Sequence, residues 1–190
     1  FDSISVEGIR YVSSVDIEYA VELGYVIKLL AVACKTSTGI EQRVQPSMVS
    51  VKTPIAHVNG VSNAVVVQSD FCGETIYQGP GAGEGATASA VVSDIVDIAR
   101  GHRIPTFAVP AKNLKPIETN SALATSAAYY IRLMVLDKPG VIADVAARLR
   151  DHNVSMESML QRSRSPGDTV PVVITTHETD GTNLRKAMVQ

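Results

Sequence analysis

The strongest candidate for ligand chemistry in this sequence is a glycine-rich string at residues 79–85, which reads GPGAGEG. Glycines lack a Cβ atom, so a ligand can approach their backbone closely, and a helix N-terminus attracts anions. A strand-like segment at 75–78 precedes the string, and apolar residues at helical spacing follow it over 88–99. The pattern therefore predicts strand, loop and helix, with the loop serving either as a cofactor cradle or simply as a tight turn.

The local spacing alone does not decide between these two interpretations. Residues 81–86 match the pattern G-x-G-x-x-G/A of dinucleotide-binding loops. That fingerprint also requires an acidic residue about 20 positions further on, and the segment 106–110, which reads TFAVP, contains none. A P-loop is excluded because no Gly-Lys-Ser/Thr follows the glycines.

A second candidate site is the turn Asp137-Lys138-Pro139-Gly140, between an alternating strand pattern at 129–136 and a helical apolar stripe beginning at Val141. A proline fits the first turn of a helix because its missing N–H has no intrahelical partner to lose. The free N–H groups of such a turn suit the carboxylate of a small amino acid. The alternative is a purely structural turn.

Other kinds of site find little support in the sequence. The four histidines and two cysteines are scattered, so no metal site is expected, and no serine or cysteine nucleophile pattern occurs. Asp94 and Asp97 lie one turn apart on the helix after the glycines and are interpreted as a solvated face. Cys34 and Cys72 are expected to be buried, reduced thiols.

Composition narrows the class of protein. The 190 residues carry 17 Lys and Arg against 19 Asp and Glu, a near-balance that argues against nucleic acid as a partner. Hydrophobic residues make up 45% of the chain and aromatic residues only 5%, so Val, Ile, Leu and Ala form the core, as in α/β proteins. The apolar runs are too short for a membrane span, so no membrane partner is expected.

The element pattern predicts an α/β (α+β) protein. Its first part is expected to be a mixed sheet with helices on one face, built from a helix at 13–24, strands at 25–33 and 40–51, and a hairpin at 64–68 and 75–78. The second part reads β-α-β-β-α, a ferredoxin-like unit that lacks its last strand. Asn153 is expected to end the first helix of that unit in the left-handed conformation.

Several strings in these segments resemble a known family. They are EGI (7–9), DIEYAVELGYVIKLLA (16–31), RVQP (43–46), VNGVSNAVVV (58–67) and YQGPGAGEGATASAVVSDIVDIA (77–99). They resemble the later part of the catalytic and dimerisation domain of homoserine dehydrogenases, and LDKPGVIADVA (136–146) resembles an ACT domain. The resemblance implies a partial catalytic domain at 1–110, a linker at 111–127, and an ACT regulatory domain at 128–190 without its last strand.

The resemblance also implies an activity, NAD(P)-dependent hydride transfer between aspartate semialdehyde and homoserine. Such an enzyme is a cytoplasmic homodimer or higher oligomer in threonine, methionine and isoleucine biosynthesis, with threonine as the expected allosteric effector. The family's loop assigns cofactor contacts, whether NAD or NADP, to Gly81, Ala82, Gly83 and the neighbouring Glu84. The effector contacts implied for the ACT domain are Asp137, Gly140, Val141, Ile142 and Asn153.

The family's catalytic groups are not found in this sequence. Its Rossmann domain, catalytic lysine and substrate-binding acids are expected before Phe1, and Lys28 is not that lysine. We therefore expect these residues to be part of a longer enzyme and to be inactive alone. The alternative is a non-catalytic, threonine-sensing dimer in which residues 1–127 are only a scaffold.

Overall fold

The computed structural model describes residues 4–105, 107–120, 126–162 and 165–189. Its α-helices are α1 (Ser14–Glu22), α2 (Glu84–Ala99), α3 (Val141–Asp151) and α4 (Gly181–Met188). Its strands are β1 (Ser5–Val6), β2 (Tyr25–Lys35), β3 (Ile40–Ser50), β4 (Ser62–Ser69), β5 (Gly73–Pro80), β6 (Thr119–Asn120), β7 (Ser126–Ala127), β8 (Tyr130–Leu136), β9 (Met156–Leu160), β10 (Thr169–Thr176) and β11 (Thr179–Asp180). The mixed α/β class expected from the sequence is confirmed.

These elements form two compact units. Unit 1 takes in the described residues up to Met48 and those from Ile117 onward, and unit 2 is Val49–Pro116. Unit 1 thus joins the N-terminal elements to the C-terminal module. None of the helices in the described ranges has the length and apolar character needed to cross a membrane.

The first helix, α1, begins where its capping residues dictate. The Ser13 side chain accepts the N–H of Asp16, and the Asp16 carboxylate accepts the N–H of Ser13 at 2.8 Å, so the two residues form a capping box. The helix ends just before Gly24, whose φ of +80° is a conformation that glycine adopts without strain. The predicted helix at 13–24 is confirmed, and it packs against β2.

The first sheet has the order β1–β3–β2, with β6 also pairing with β3. Both β1 and β6 run parallel to β3, at different points along it. Pro46 lies inside β3, beyond the residues that pair with β1, where its missing N–H leaves no gap in that ladder. The segment expected as a linker thus adds a strand to this sheet.

The C-terminal module has an antiparallel sheet of order β8–β10–β9 with α3 and α4 on one face. Its core contains Ile131, Leu149, Val154, Val172, Ile174 and Ala187. The expected β-α-β-β-α order is confirmed. Asn153 follows α3 with a φ of +57°, as expected, and the N–H groups of Asn153 and Val154 return to the carbonyls of Arg150 and Leu149.

The opposite face of this sheet contacts α1. Side chains alternate along a strand, so Ile131 faces the core while Tyr130 and Arg132 face the other way. The Tyr130 hydroxyl donates to Asp16 Oδ1 at 2.7 Å, and Arg132 Nε lies 3.1 Å from the same oxygen. Arg132 also donates to the Ser13 hydroxyl at 2.9 Å. One carboxylate therefore caps α1 and joins that helix to β8.

A second contact holds the other end of the same helix. Arg162, which follows β9, donates to Glu18 and Glu22 of α1, each at 2.8 Å. Its guanidinium also lies 4.2 Å from the centre of the Tyr19 ring, a cation–π distance. The α1 helix is thus fastened to the C-terminal module at its first and last turns.

The burial of Asp16 alters its acid–base behaviour, since its side chain is only 7% exposed. Burial by itself raises the pKa of this carboxyl, but hydrogen bonds from Ser13 and Tyr130 and the charge of Arg132 outweigh it, so the pKa lies below 3.8. Burial and the bond to Asp16 in turn raise the pKa of Tyr130. The pair is therefore held as carboxylate and phenol.

Unit 2 differs from unit 1 in having little core of its own. It contains the antiparallel hairpin β4–β5, which confirms the predicted hairpin, and the helix α2. Its buried apolar residues within the described ranges are Val49 and Ala56. The prediction of buried thiols is wrong: Cys34 near the end of β2 and Cys72 in the β4–β5 turn are both free and exposed.

The Asp16 junction generates a prediction about stability and pH. Asp16→Asn is expected to lower the free energy of unfolding near pH 7 by about 2 kcal/mol, because it removes the charge that Tyr130 and Arg132 bind. Since the folded pKa is lowered, the carboxylate stabilises the fold above pH 3.8 and this contribution disappears as the pH falls through the folded pKa. Chemical denaturation at several pH values measures the difference between the variants.

A matched control is Asp94→Asn, the same change at an exposed position of α2, which is expected to alter stability by less than about 0.5 kcal/mol. Equal stability of Asp16→Asn and the wild type near pH 7, or a difference that persists unchanged at acid pH, would contradict the role given to Asp16.

Candidate functional site

The glycine string forms the exit of a hairpin. The ladder of β4 and β5 places Asn63 opposite Gly79 and Ser62 opposite Pro80. It continues one step past the strand, because the N–H of Gly81 donates to the carbonyl of Val61 at 2.7 Å. The loop after Gly81 then leads into α2, so the predicted strand, loop and helix are all present.

The structure gives a different answer for each of the four loop glycines to the question of why that position lacks a side chain. Gly83, the N-cap of α2, has a φ of +120°, which only glycine adopts without strain. A Cβ atom at Gly81 would overlap the side-chain amide of Asn63. Around Gly79 and Gly85 an added Cβ would meet nothing within 4 Å, and neither has a positive φ. Packing within the described chain therefore requires two of the four glycines and leaves the other two unexplained.

The start of α2 presents backbone donors. No side chain of the described residues caps α2 at Gly83, and the helix begins at the exposed Glu84. The first N–H groups of a helix have no intrahelical acceptor. The residues predicted to contact a cofactor thus lie together beside these donors: Gly81, Ala82 and Gly83 in the exposed loop and Glu84 at the start of α2.

The second predicted site is organised around Gly140. Its φ is +96°, and the carbonyl of Gly140 accepts the N–H of Asp144 at 3.0 Å as α3 begins. No side chain within the described ranges caps this helix, and a Cβ at Gly140 would meet nothing within 4 Å. The turn is open and presents a helix N-terminus.

The other residues predicted for this site are placed differently. Asp137 is turned to the loop before β10, because its carboxylate accepts the N–H of Ser165 at 2.7 Å. Val141 is half-buried, and Ile142 packs on the core of the module. Asn153 follows the far end of the 11-residue helix α3, roughly 16 Å along the helix axis. The fold thus brings Gly140, Val141 and Ile142 together and leaves Asn153 apart.

The pairings of Tyr130, Arg132 and Asn63 were missed at the sequence level. Tyr130 and Arg132 alternate with the apolar residues of a predicted strand. Because successive side chains of a strand point to opposite faces, the sequence already indicates that both lie on the face away from the core. Asn63 precedes the first predicted hairpin strand, and extending that hairpin by one residue would have set it beside the glycines. The partners of these side chains, in contrast, follow only from the tertiary fold.

A cleft of about 600 Å³ in unit 1 lies beside the α1 junction. Among its lining residues are two arginines, but each is engaged: Arg43 pairs with the buried Glu41, and Arg132 pairs with Asp16. These carboxylates neutralise the guanidinium groups locally, so the cleft is not a ready anion site. Within the part of the chain that the structure describes, no group of three or more His, Cys, Asp and Glu could hold a metal ion.

Comparison with known proteins finds matches in both parts of the chain. The sequence model described as homoserine dehydrogenase matches residues 1–96, and the ACT domain model matches residues 129–189. Among curated proteins, homoserine dehydrogenases of Neisseria gonorrhoeae and Pseudomonas aeruginosa are 42% and 41% identical. The alignments cover 99% and 93% of this chain and 45% and 42% of those proteins. The chain therefore spans less than half the length of these relatives.

The fold has a similar counterpart among solved structures. A homoserine dehydrogenase from Thiobacillus denitrificans superposes with a TM-score of 0.86 at 38% identity, over 98% of this chain and 43% of that one. Because the family's sequence model matches residues 1–96, the alternative of a non-catalytic effector module is not favoured. The chain belongs to the homoserine dehydrogenase family.

Proposed function

We propose that this chain is the segment of an NAD(P)-dependent homoserine dehydrogenase that closes on the cofactor, forms the subunit interface and senses an amino acid. The reaction is reversible hydride transfer between homoserine and aspartate semialdehyde, in cytoplasmic biosynthesis of threonine, methionine and isoleucine. The observation that carries this proposal is the exposed glycine loop at the head of α2, in a chain of this family.

The loop fits a dinucleotide because two of its glycines have no other use in the described chain. A glycine in place of alanine costs a helix about 1 kcal/mol, and Gly85 lies in the first turn of α2 with open space around it. A side chain absent at Gly79 and Gly85 leaves room for a ligand against the backbone. The free N–H groups of α2 suit phosphate oxygens. A bound nicotinamide would supply the hydride acceptor.

The groups that move the proton and hold the substrate lie, in this proposal, in the remainder of the enzyme. Neither the glycine loop nor the Gly140 turn contains a lysine, histidine or cysteine that could act as the base, apart from Lys138 in the exposed turn. The role of this chain in the chemistry is then to bind and orient the dinucleotide. In this proposal residues 1–110 form the partial catalytic domain, 128–190 the ACT domain, and 111–127 the connection between them, in which β6 pairs with β3 and β7 with β11.

The surface of unit 2 supports the proposed homodimer or higher oligomer. Exposed apolar side chains on the described part of this unit include Val61, Val65, Tyr77, Val91, Val92, Ile95 and Ile98. Clustered exposed apolar side chains, such as Val91, Ile95 and Ile98 at helical spacing on α2, are typical of an interface rather than of a solvated face. We infer that further protein, including a second subunit, covers it.

The Gly140 turn supports amino-acid sensing, with threonine as the proposed effector. Its left-handed glycine opens the N-terminus of α3, where two backbone donors can meet the carboxylate of a small amino acid. Val141 and Ile142 would then line the apolar side of that site. Asp137 would act indirectly, because its carboxylate accepts the N–H of Ser165 and so holds the loop before β10.

An activity assay tests the proposed function. An enzyme containing this segment is expected to reduce NAD or NADP when homoserine is added, and the 190 residues alone are expected to show no turnover. Gly83→Ala should raise the KM for the dinucleotide about tenfold, because its φ of +120° disfavours any side chain and the loop must rearrange.

The matched control is Gly101→Ala, which also substitutes a glycine of positive φ, +72°, but at the opposite end of α2. It should reduce stability while leaving that KM unchanged. Homoserine oxidation by the isolated chain, or its absence in the longer enzyme, would refute the proposal.

Calorimetry tests the effector site. Threonine at millimolar concentration should release or absorb heat with the enzyme containing this segment, and Gly140→Val should abolish the signal, because it strains the turn and blocks the approach to α3. Gly60→Val changes a glycine of φ +65° in unit 2 and should preserve binding. No heat with the wild type, or equal heat with Gly140→Val, would contradict the proposal that this turn binds threonine.

A further inference from the structure

The side chain of Asn63 occupies the space that a side chain at Gly81 would need. Asn63 is paired with Gly79, so Gly81 is its diagonal neighbour on the same face of the hairpin. A Cβ built on Gly81 would overlap the Nδ2 and Cγ atoms of Asn63 and lie 3.1 Å from its Oδ1. The carboxamide therefore lies directly over the backbone of the glycine loop.

Space, rather than backbone conformation, makes residue 81 a glycine. Gly81 has no positive φ, so its backbone accepts an alanine, whereas Gly83 two residues later does not. Gly79 provides the comparison: it faces Asn63 directly across the ladder, yet an added Cβ there would meet nothing. The carboxamide of Asn63 is thus turned toward the loop end of the hairpin.

We propose that Asn63 is a positioning residue of the cofactor loop. Its carboxamide packs on Gly81 and, with the hydrogen bond from the Gly81 N–H to the Val61 carbonyl, fixes the direction in which the chain leaves β5. The residues that follow, Ala82 and Gly83, then meet the dinucleotide in one arrangement. This proposal rests on the proposed function for the role of the loop, but the packing itself is independent of it.

The physical reason for such a device is the cost of ordering a glycine-rich segment. Glycine loses more conformational freedom than any other residue when it is fixed. A loop that is not held before the ligand arrives must be ordered during binding, which weakens affinity. A contact from a rigid β-strand that restricts the loop in advance therefore strengthens binding without touching the ligand.

The test is a double-mutant cycle with Gly81→Ala, Asn63→Ala and both together, and with Gly79→Ala as the matched control. Asn63→Ala removes the three atoms nearest to the added Cβ, which are Nδ2, Cγ and Oδ1 of Asn63. Two quantities are measured: hydrogen exchange of the residue-81 amide in the 190-residue chain, and the KM values of the enzyme containing it. The KM for homoserine reports whether the effect is confined to the cofactor.

Each single change should speed exchange of the residue-81 amide and raise the KM for the dinucleotide, about tenfold for Gly81→Ala. The KM for homoserine should not change. The double variant should return toward the wild type on both measures, because the alanine methyl replaces the carboxamide. Gly79→Ala should leave the exchange of that amide unaltered.

The proposal is overturned if the double variant is as impaired as Gly81→Ala, or if Asn63→Ala changes neither exchange nor the dinucleotide KM. A wild-type enzyme that does not oxidise homoserine would instead refute the proposed function. In that event the exchange measurements in the chain still decide whether Asn63 holds the loop.

Discussion

Burying an ionised carboxylate is unfavourable unless donors replace the water it loses, and Asp16 meets this condition with groups from two parts of the chain. The N–H and hydroxyl of Ser13 come from its own helix, and the Tyr130 hydroxyl and the Arg132 guanidinium come from β8. The residue that completes the capping box of α1 therefore also contacts the C-terminal sheet. The Ser13 donors contact Oδ2 and the β8 donors contact Oδ1, so one carboxylate takes part in both the helix cap and the docking contact.

Contacts of this kind distinguish unit 1 from unit 2. The segment from the dehydrogenase family supplies α1, and the ACT module supplies the sheet face that receives it, so the two families of structure meet within unit 1. The described part of unit 2 has few buried apolar residues: its hairpin and α2 expose apolar side chains, and its glycine loop contacts Val61 through the N–H of Gly81. The ACT module is thus held by contacts within its own chain, whereas the glycine loop lies on a unit with exposed apolar side chains.

Local signals in the sequence were sufficient for most elements. Ser13 and Asp16 at capping-box spacing predicted the start of α1, and Asn153 predicted the end of α3, because these choices depend on a few neighbouring residues. The exposure of Cys34 and Cys72 could not be foreseen, because composition gives an average and burial depends on what covers each surface. The same limit applies to the sites. The spacing of the glycines located the loop at 79–85, but only the hairpin register places Asn63 against Gly81. Likewise, only the tertiary fold shows that the Asp137 carboxylate accepts the N–H of Ser165.

Native-state hydrogen exchange tests most directly whether Asp16 makes α1 and the C-terminal sheet one cooperative body. Amides of α1 and of β10 are expected to share a common free energy of opening in the wild-type chain, and Asp16→Asn is expected to lower both together. A cooperative body held by Asp16 would be contradicted if, in both the wild type and the variant, the amides of α1 exchange freely while those of β10 stay protected.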